Sequence, residues 1–154
     1  MPAANSWQHD RMKIRLIMLG KTRREEIRAL LEDYIERIGR HAAIEVHELR
    51  DTSPAALKKL KLEPGATIVL LDAAGKQFTS GQFARWLGDL RDRGARELAF
   101  LCGDAEGFPA ELRAGAKQRI SLSTLTMQHE FARVVLAEQI YRAFTILQRH
   151  PYSK

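Results

Sequence analysis

The chain has 154 residues, of which 45% are hydrophobic and 29% charged, and it contains a single cysteine, Cys102. This length and composition are typical of one ordinary globular domain. One cysteine excludes a disulfide framework, and no apolar run approaches the roughly 20 residues that span a bilayer. Since the first residues also lack a signal peptide, we expect a cytoplasmic protein.

The chain is basic, with 25 Lys+Arg against 19 Asp+Glu and a net charge of +6. Such an excess favours a polyanionic partner such as a nucleic acid, because binding phosphates releases counterions. Many soluble proteins are mildly basic without such a partner, so the charge alone leaves both interpretations open.

Residues 12–39 predict a strand followed by a helix. The run MKIRLIMLG is mostly apolar and closes at Gly20, which indicates a strand. Thr22 and Glu25 have the spacing of a capping box, and apolar residues recur at helical spacing from there to Ile38. We therefore expect Thr22 to cap a helix.

The next part of the chain predicts two strands separated by a short helix. Residues 43–49 have the character of a short strand. Ser53 followed by Pro54 is typical of a helix start, and this helix is expected to extend to about Leu62. The run ATIVLLD, residues 66–72, is continuously apolar, as in a buried parallel strand.

The second half continues the alternation. Ser80 is expected to cap a helix that ends near Gly94, and residues 97–102 form another buried strand. The remaining predicted elements are a short helix after Pro109, a strand over residues 119–122 and a helix over residues 130–148. This alternation predicts an α/β fold with a mainly parallel sheet and helices on both faces.

Three predicted strand ends carry glycine and polar residues: 71–75, 102–107 and 122–129. Ligands bind beyond the carboxyl ends of strands in open α/β sheets, so three such segments together predict a site, although each alone is explained by a turn. Asp104 and Glu106 would repel phosphate. A ligand here should therefore be neutral or cationic, and S-adenosylmethionine, with its sulfonium and ammonium, has that character.

Other chemistries have weaker support. Ser123, His129 and Asp72 are the residue types of a hydrolase triad, but the G-x-S-x-G motif that exposes a nucleophile does not occur. The histidines follow no metal-ligand spacing and Cys102 has no partner cysteine, so no metal is expected. In the last helix Arg142 is spaced to form an ion pair with Glu138.

The last helix is apolar on two sides. One stripe contains Phe131, Val134 and Val135, and the other runs from Leu136 to Leu147. A helix with two apolar sides covers the sheet and a further surface, and a second copy of the chain is the expected partner. Burial within a monomer is the alternative.

Four segments resemble the RlmH family, which are SPOUT-class methyltransferases that modify a pseudouridine of large-subunit ribosomal RNA. The segments are MKIRLIMLGK, LLDAAGK, FLCGDAEG and SLSTLTMQHEFARVVLAEQIYRAFTILQRHPY. The resemblance covers residues 12–154, which we interpret as a single domain. Residues 1–11 have no counterpart and are expected to be a disordered extension.

The resemblance implies a C-terminal trefoil knot, a homodimer and S-adenosylmethionine as methyl donor, without a metal. Residues 121–127 would lie in the knot, with their leucines facing the core and their hydroxyls satisfying backbone or ligand groups. Carried over by position, the cofactor contacts are Leu71, Gly103, Leu122, Ser123, Thr124, Leu125, Thr126 and Met127.

The implied reaction is methylation of N3 of a pseudouridine in 23S ribosomal RNA. Arg142 would stabilise the base anion or grip a phosphate, and Tyr152 in the tail would order the target nucleotide. His129 is either a candidate base or a residue that shapes the knot. A domain this small has little surface for RNA recognition, so we expect its substrate to be the assembled ribosome.

The chain departs from the family pattern at three positions. Asp104 follows Gly103 where a second glycine is usual, which adds a side chain beside the cofactor. Gln128 replaces a proline and should loosen its turn, and Ser153 replaces a histidine. A catalytically silent RNA-binding module on the same fold is therefore an alternative function. A small nucleoside hydrolase is a third hypothesis, which the missing motifs disfavour.

Overall fold

The computed structural model describes residues 12–104 and 106–153. The prediction for residues 1–11 lies outside this range. The elements of the described chain are β1 (Lys13–Leu19), α1 (Glu25–Ile38), β2 (Ala43–Leu49), α2 (Pro54–Lys59), β3 (Thr67–Gln77), α3 (Ser80–Asp92), β4 (Glu97–Cys102), α4 (Ala110–Gly115), β5 (Gln118–Ser121), α5 (His129–Leu147) and a 3₁₀ helix (Pro151–Ser153).

The strands form one sheet in the order β2-β1-β4-β3-β5, and every neighbouring pair is parallel. The predicted α/β class and parallel sheet are thereby confirmed. Because all strands point the same way, their carboxyl ends share one edge, where ligands bind in such sheets. None of the helices in the described part of the chain combines the length and apolarity that a bilayer crossing needs.

Helices cover both faces of the sheet, as predicted. The larger core lies between the sheet and α1, α3 and α5, with Leu16, Phe100 and Leu136 fully buried. A smaller cluster on the other face joins Leu70 and Leu101 to side chains from α2, α4 and the segments that flank them. In α5 the stripe from Leu136 onwards is the buried one, while Phe131 is 45% exposed.

Strand β3 is interrupted opposite β5. Leu71 and Lys76 both align with Ile120, so residues 72–75 bulge out of the ladder. A Cβ added at Gly75 would lie 2.6–2.8 Å from backbone atoms of Arg119 and Ile120, a separation that no side chain tolerates. Glycine therefore permits the close approach of the two strands, and the bulge carries Asp72 and Ala73 out over the sheet edge.

The start of α1 differs from the prediction. Arg24 is the N-cap residue and makes no side-chain capping bond, so the expected Thr22 capping box is wrong. The Thr22 hydroxyl instead accepts a hydrogen bond from Arg133 of α5. Glu130 of α5 accepts hydrogen bonds from the backbone N–H groups of Arg23 and Arg24, at 2.9 and 3.1 Å. A carboxylate from a distant helix thus replaces the local cap.

This long-range cap makes a pH-dependent contribution to stability. Burial raises the pKa of Glu130, but the two backbone N–H donors outweigh it and hold the pKa below its ordinary value of 4.5. Because the folded pKa is depressed, the stabilisation is complete at neutral pH and disappears as the pH falls through the folded pKa.

We therefore expect Glu130→Gln to lower the free energy of unfolding at pH 7 by about 1 kcal/mol, since an amide accepts more weakly than a carboxylate. The difference from wild type should shrink towards zero as the pH is lowered to about 3, in urea unfolding followed by circular dichroism. Glu32→Gln, at an exposed position of α1, is the control. A deficit of constant size across this pH range would contradict the assignment.

The remaining boundaries shift by one to five residues. Thr79 caps α3 in a capping box with Gln82, so the expected cap at Ser80 is wrong by one residue. Ser53 caps α2 as predicted, but this helix ends at Lys59, before the positive φ of Lys61. The other differences are that β3 extends to Gln77, β5 is Gln118–Ser121 and α5 is His129–Leu147.

Candidate active site

A cavity of about 330 Å³ lies at the carboxyl ends of β3, β4 and β5. Its volume is within the range of small-molecule sites. The three segments that the sequence singled out converge here. The lining residues are Leu71, Asp72, Ala73, Cys102, Gly103, Asp104, Glu106, Gly107, Leu122, Ser123, Leu125, Thr126, Met127, His129 and Ala132.

A tight turn after β4 forms one wall of the cavity. The Gly107 N–H donates to the Asp104 carbonyl at 3.0 Å, and the Glu106 N–H donates to Asp104 Oδ1 at 2.9 Å. A Cβ added at Gly103 would lie 3.0–3.2 Å from backbone atoms of Gly107, so glycine keeps the two ends of the turn together. Asp104, which departs from the family pattern, therefore helps to shape the wall.

The segment between β5 and α5 forms the opposite wall. The Ser121 hydroxyl donates to the Ser123 carbonyl at 3.0 Å, and Ser123 Oγ accepts from the Leu125 N–H at 2.9 Å. These hydroxyls satisfy the backbone, as predicted. Leu122 packs against the larger core, but Leu125 is 78% exposed, so the expectation that both leucines face the core is wrong for Leu125. It lies on the cavity wall, where only a ligand or a partner can cover it.

Three carboxylates line the cavity, those of Asp72, Asp104 and Glu106. Asp72 is paired with Arg113 at 3.0 Å and Arg119 at 3.5 Å. The Ala74 N–H donor and these guanidinium groups hold the pKa of Asp72 below its usual value despite partial burial. Asp104 and Glu106 form no ion pair within the described residues, although the buried Arg133 interacts electrostatically with Asp104, so both carboxylates are open to a cationic ligand group.

The cavity lining includes all but one of the expected cofactor contacts. Thr124 is exposed, and the lining drawn from the described residues does not include it. Of the three catalytic candidates, only His129 contributes to the lining. Arg142 lies 13 residues further along α5, which is about 20 Å at 1.5 Å per residue.

Arg142 and Tyr152 lie together in a second cluster. Arg142 Nε and Nη2 donate to Glu138 Oε1 at 2.9 and 2.8 Å, which confirms the expected helix ion pair. The Tyr152 hydroxyl donates to the same oxygen at 3.0 Å, and the Arg142 guanidinium lies 5.0 Å from the centre of the Tyr152 ring. Glu138 therefore holds both Arg142 and Tyr152 in place, and its bond to Tyr152 fixes the C-terminal 3₁₀ helix against α5.

Both Arg142 and Tyr152 keep their protons at neutral pH. Hydrogen bonding to Glu138 raises the pKa of Arg142. Burial, followed by the hydrogen bonds to Tyr34 and Glu138, raises the pKa of Tyr152. At neutral pH the cluster thus presents a guanidinium and a protonated phenol, and Tyr152 is unsuited to act as a base.

Gln128 does not loosen the start of α5. Its Oε1 accepts hydrogen bonds from the N–H groups of Glu130 and Phe131, at 2.8 and 3.1 Å, and so caps the helix. The expectation of a looser turn is therefore wrong. A proline would fix the helix start by restricting φ, and the amide oxygen of Gln128 fixes it by hydrogen bonding. Its amide nitrogen lies 3.3 Å from His129 Nδ1.

The sequence interpretation missed a buried cation next to this site. Arg133 is fully buried and donates from Nη1 to Thr22 Oγ1 and from Nη2 to the Leu19 carbonyl, both at 2.8 Å. Its Nε has no hydrogen-bond partner among the described residues. The sequence signal was an arginine aligned with the apolar stripe of α5, three residues before Leu136 and seven before Ile140.

Cysteine and metal chemistry have little support at the cavity. Burial raises the pKa of the Cys102 thiol to about 12, so it stays protonated and a poor nucleophile. Across the described residues, no three side chains of His, Cys, Asp or Glu are grouped in a way that could hold a metal ion.

Comparison with known proteins adds to this geometry. The family model described as "Predicted SPOUT methyltransferase" matches residues 12–153. A solved structure, the SpoU methyltransferase AviRb from Streptomyces viridochromogenes in complex with AdoMet, is 11% identical with a TM-score of 0.46, covering 87% of this chain and 58% of that one.

Relatives of known name are much more similar. The ribosomal RNA large subunit methyltransferase H of Koribacter versatilis is 43% identical over 92% of this chain and 97% of its own length. The protein of the same name from Geobacter sulfurreducens is 42% identical over 92% of this chain and 99% of its own. The chain therefore belongs to the SPOUT methyltransferases, in the family of the ribosomal RNA large subunit methyltransferase H proteins.

Proposed function

We propose that this protein transfers a methyl group from S-adenosylmethionine to N3 of a pseudouridine in 23S ribosomal RNA. The observation that carries the proposal is the cavity of about 330 Å³ at the carboxyl ends of β3, β4 and β5, in a chain of this family. Its relatives are named as methyltransferases of large-subunit ribosomal RNA.

The residues of the cavity fit S-adenosylmethionine. Gly103 and Gly107 leave backbone exposed on one wall, and the segment 122–127 supplies apolar and polar contacts on the other. Asp104 and Glu106 lie on the cavity wall and form no ion pair among the described residues, which suits an ammonium and a sulfonium and disfavours a triphosphate. Leu71, Gly103 and residues 122–127 are thus the proposed contacts, with Thr124 the least supported because it is the one that is absent from the cavity lining drawn from the described residues.

The bound cofactor supplies an electrophilic methyl group. N3 of the target base must lose its proton before its lone pair can attack, so the protein has to favour the anionic base. Arg142 stays charged and is suited to stabilising that anion or gripping a phosphate, while the protonated Tyr152 is suited to ordering the nucleotide by hydrogen bonding. His129, on the cavity wall, is a candidate base or a residue that shapes the wall.

A homodimer would complete this arrangement. Within one chain Arg142 lies about 20 Å along α5 from His129, so the chain alone does not bring these two side chains together. A second copy could present its own Arg142 and Tyr152 to the cavity. The exposed side chains of Phe131 and Leu125 offer apolar surface for such packing, and the trefoil knot implied by the resemblance belongs to the same proposal.

The substrate we propose is the assembled ribosome, which places the protein in the cytoplasm. The test is to incubate the purified protein with labelled S-adenosylmethionine and either ribosomes from a strain without this activity or a matching RNA hairpin. Label in the ribosomal RNA of the large subunit, mapped to N3 of pseudouridine by mass spectrometry, is the expected result. Ribosome binding without label would favour the silent RNA-binding module, and efficient labelling of the hairpin would contradict the ribosome requirement.

Glu138 is proposed as the positioning residue for Arg142 and Tyr152. We expect Glu138→Gln to lower kcat for methyl transfer about 10-fold, since a neutral amide holds the guanidinium less firmly, a loss of about 1.4 kcal/mol. The affinity for S-adenosylmethionine should stay within twofold of wild type, because Glu138 does not line the cavity.

Glu32→Gln is the matched control for this experiment. Steady-state kinetics on ribosomes and calorimetric titration of the cofactor separate the two effects. An unchanged kcat, or a parallel loss of cofactor affinity, would count against a positioning role for Glu138.

A further inference from the structure

A cluster of exposed cations lies beside the candidate active site, in the loop between β1 and α1. Lys21, Arg23 and Arg24 are all exposed, and we name them the basic rim. Strand β1 is hydrogen-bonded to β4, whose carboxyl end carries Gly103 and the cavity. The basic rim therefore lies one strand away from the cavity, at the same edge of the sheet.

Helix α5 holds the basic rim against the cavity. Glu130 Oε1 accepts the backbone N–H groups of Arg23 and Arg24, and its chain neighbour His129 lines the cavity. The Arg24 guanidinium lies 5.4 Å from the centre of the Phe131 ring. The loop is thus fixed at the start of α5 by two backbone hydrogen bonds and a cation–π contact.

The cationic groups of the basic rim, those of Lys21, Arg23 and Arg24, take part in none of the ion pairs found among the described residues. The Glu130 carboxylate beneath the loop accepts the backbone N–H groups of Arg23 and Arg24 rather than their guanidinium groups, and the nearby Arg133 also favours its charged form. The neighbouring Glu25 and Glu26 belong to the first turn of α1, where the helix dipole favours them.

From this placement we propose that the basic rim binds backbone phosphates of the RNA strand next to the target nucleotide. The inference rests on the proposed function, since it requires RNA as the substrate. The cavity wall instead carries the carboxylates of Asp104 and Glu106, which disfavour a backbone phosphate at that point. The carboxylates of the cavity suit a cationic cofactor, and the basic rim suits the polyanionic RNA backbone.

The test compares two triple variants of equal charge. The first, Lys21→Gln/Arg23→Gln/Arg24→Gln, removes the basic rim. The second, Arg85→Gln/Arg93→Gln/Arg96→Gln, removes three exposed cations, of which Arg93 and Arg96 lie between α3 and β4 at the opposite edge of the sheet. Binding of each fluorescently labelled protein to purified large ribosomal subunits is measured between about 50 and 200 mM KCl, with cofactor affinity as a check on folding.

For the basic-rim variant we expect the slope of log K against log salt to fall by about 2, since each phosphate contact contributes about 0.7 to 0.9. Wild type should then lose about 16-fold more affinity than this variant over that salt range. The control variant should change the slope by less than about 0.5, and both variants should bind S-adenosylmethionine as wild type does.

Each remaining outcome overturns the inference. Equal slope changes in the two variants would mean that net charge alone acts. An unchanged slope in the basic-rim variant would mean that RNA docks elsewhere. If one of these two results is found while the wild-type protein still labels ribosomal RNA, only the proposal for the basic rim is rejected. If the wild-type protein neither binds nor labels ribosomes, the proposed function fails as well.

Discussion

Replacing Arg133 with alanine is expected to lower the free energy of unfolding by about 3–5 kcal/mol, a large part of the stability of a domain this size. The side chain is fully buried. Its loss leaves a cavity in the core and removes the donors that satisfy the Leu19 carbonyl and the Thr22 hydroxyl. Urea unfolding at fixed m-value measures the effect.

Two further variants separate volume from hydrogen bonding at this position. Arg133→Met keeps most of the side-chain volume without the donors, so it should lose about half as much stability. Arg85→Ala, on the exposed side of α3, should stay within about 0.5 kcal/mol of wild type. If Arg133→Ala cost less than about 1 kcal/mol, the hydrogen bonds of Arg133 to Leu19 and Thr22 would not be a major source of stability.

Replacing Gly103 with valine is expected to weaken S-adenosylmethionine binding by about 5- to 150-fold, which corresponds to an overpacking cost of about 1–3 kcal/mol. Even a Cβ at this position would lie 3.0–3.2 Å from backbone atoms of Gly107. The two γ-methyl groups must therefore displace Gly107 or enter the cavity. Calorimetric titration of the cofactor measures the loss.

Gly81→Val is the matched control for this variant. It lies in the first turn of α3, where an added Cβ meets only Thr79 Oγ1, at 4.0 Å. This control should bind the cofactor as wild type does. Retention of full affinity by Gly103→Val, with its fold intact by circular dichroism, would mean that the cofactor does not contact this wall.

The alternation of strands and helices was predictable from the sequence because it depends on local patterns. Apolar runs such as residues 97–102 identified buried strands, and Ser53-Pro54 identified the start of α2. The convergence of three polar strand ends also followed, since parallel strands share one carboxyl edge. Local propensity and the parallel topology were sufficient for these conclusions.

The parts that could not be predicted depend on contacts between residues far apart in the chain. The N–H groups at the start of α1 are capped by Glu130, more than 100 residues away, so the local capping signal at Thr22 was misleading. The bulge at residues 72–75 depends on how closely β5 approaches Gly75. Gln128 caps α5 because its side chain accepts hydrogen bonds from the first N–H groups of that helix. The family pattern, which has a proline at this position, gave no indication of this cap.

The central claim, a cofactor site between the turn at Gly103 and residues 122–127, is tested most directly by calorimetric titration of S-adenosylmethionine into the purified protein, with ATP as control ligand. We predict saturable binding of S-adenosylmethionine and none of ATP, because Asp104 and Glu106 favour a cationic ligand over a triphosphate. Absence of S-adenosylmethionine binding, or equal binding of ATP, would contradict the account of the cavity.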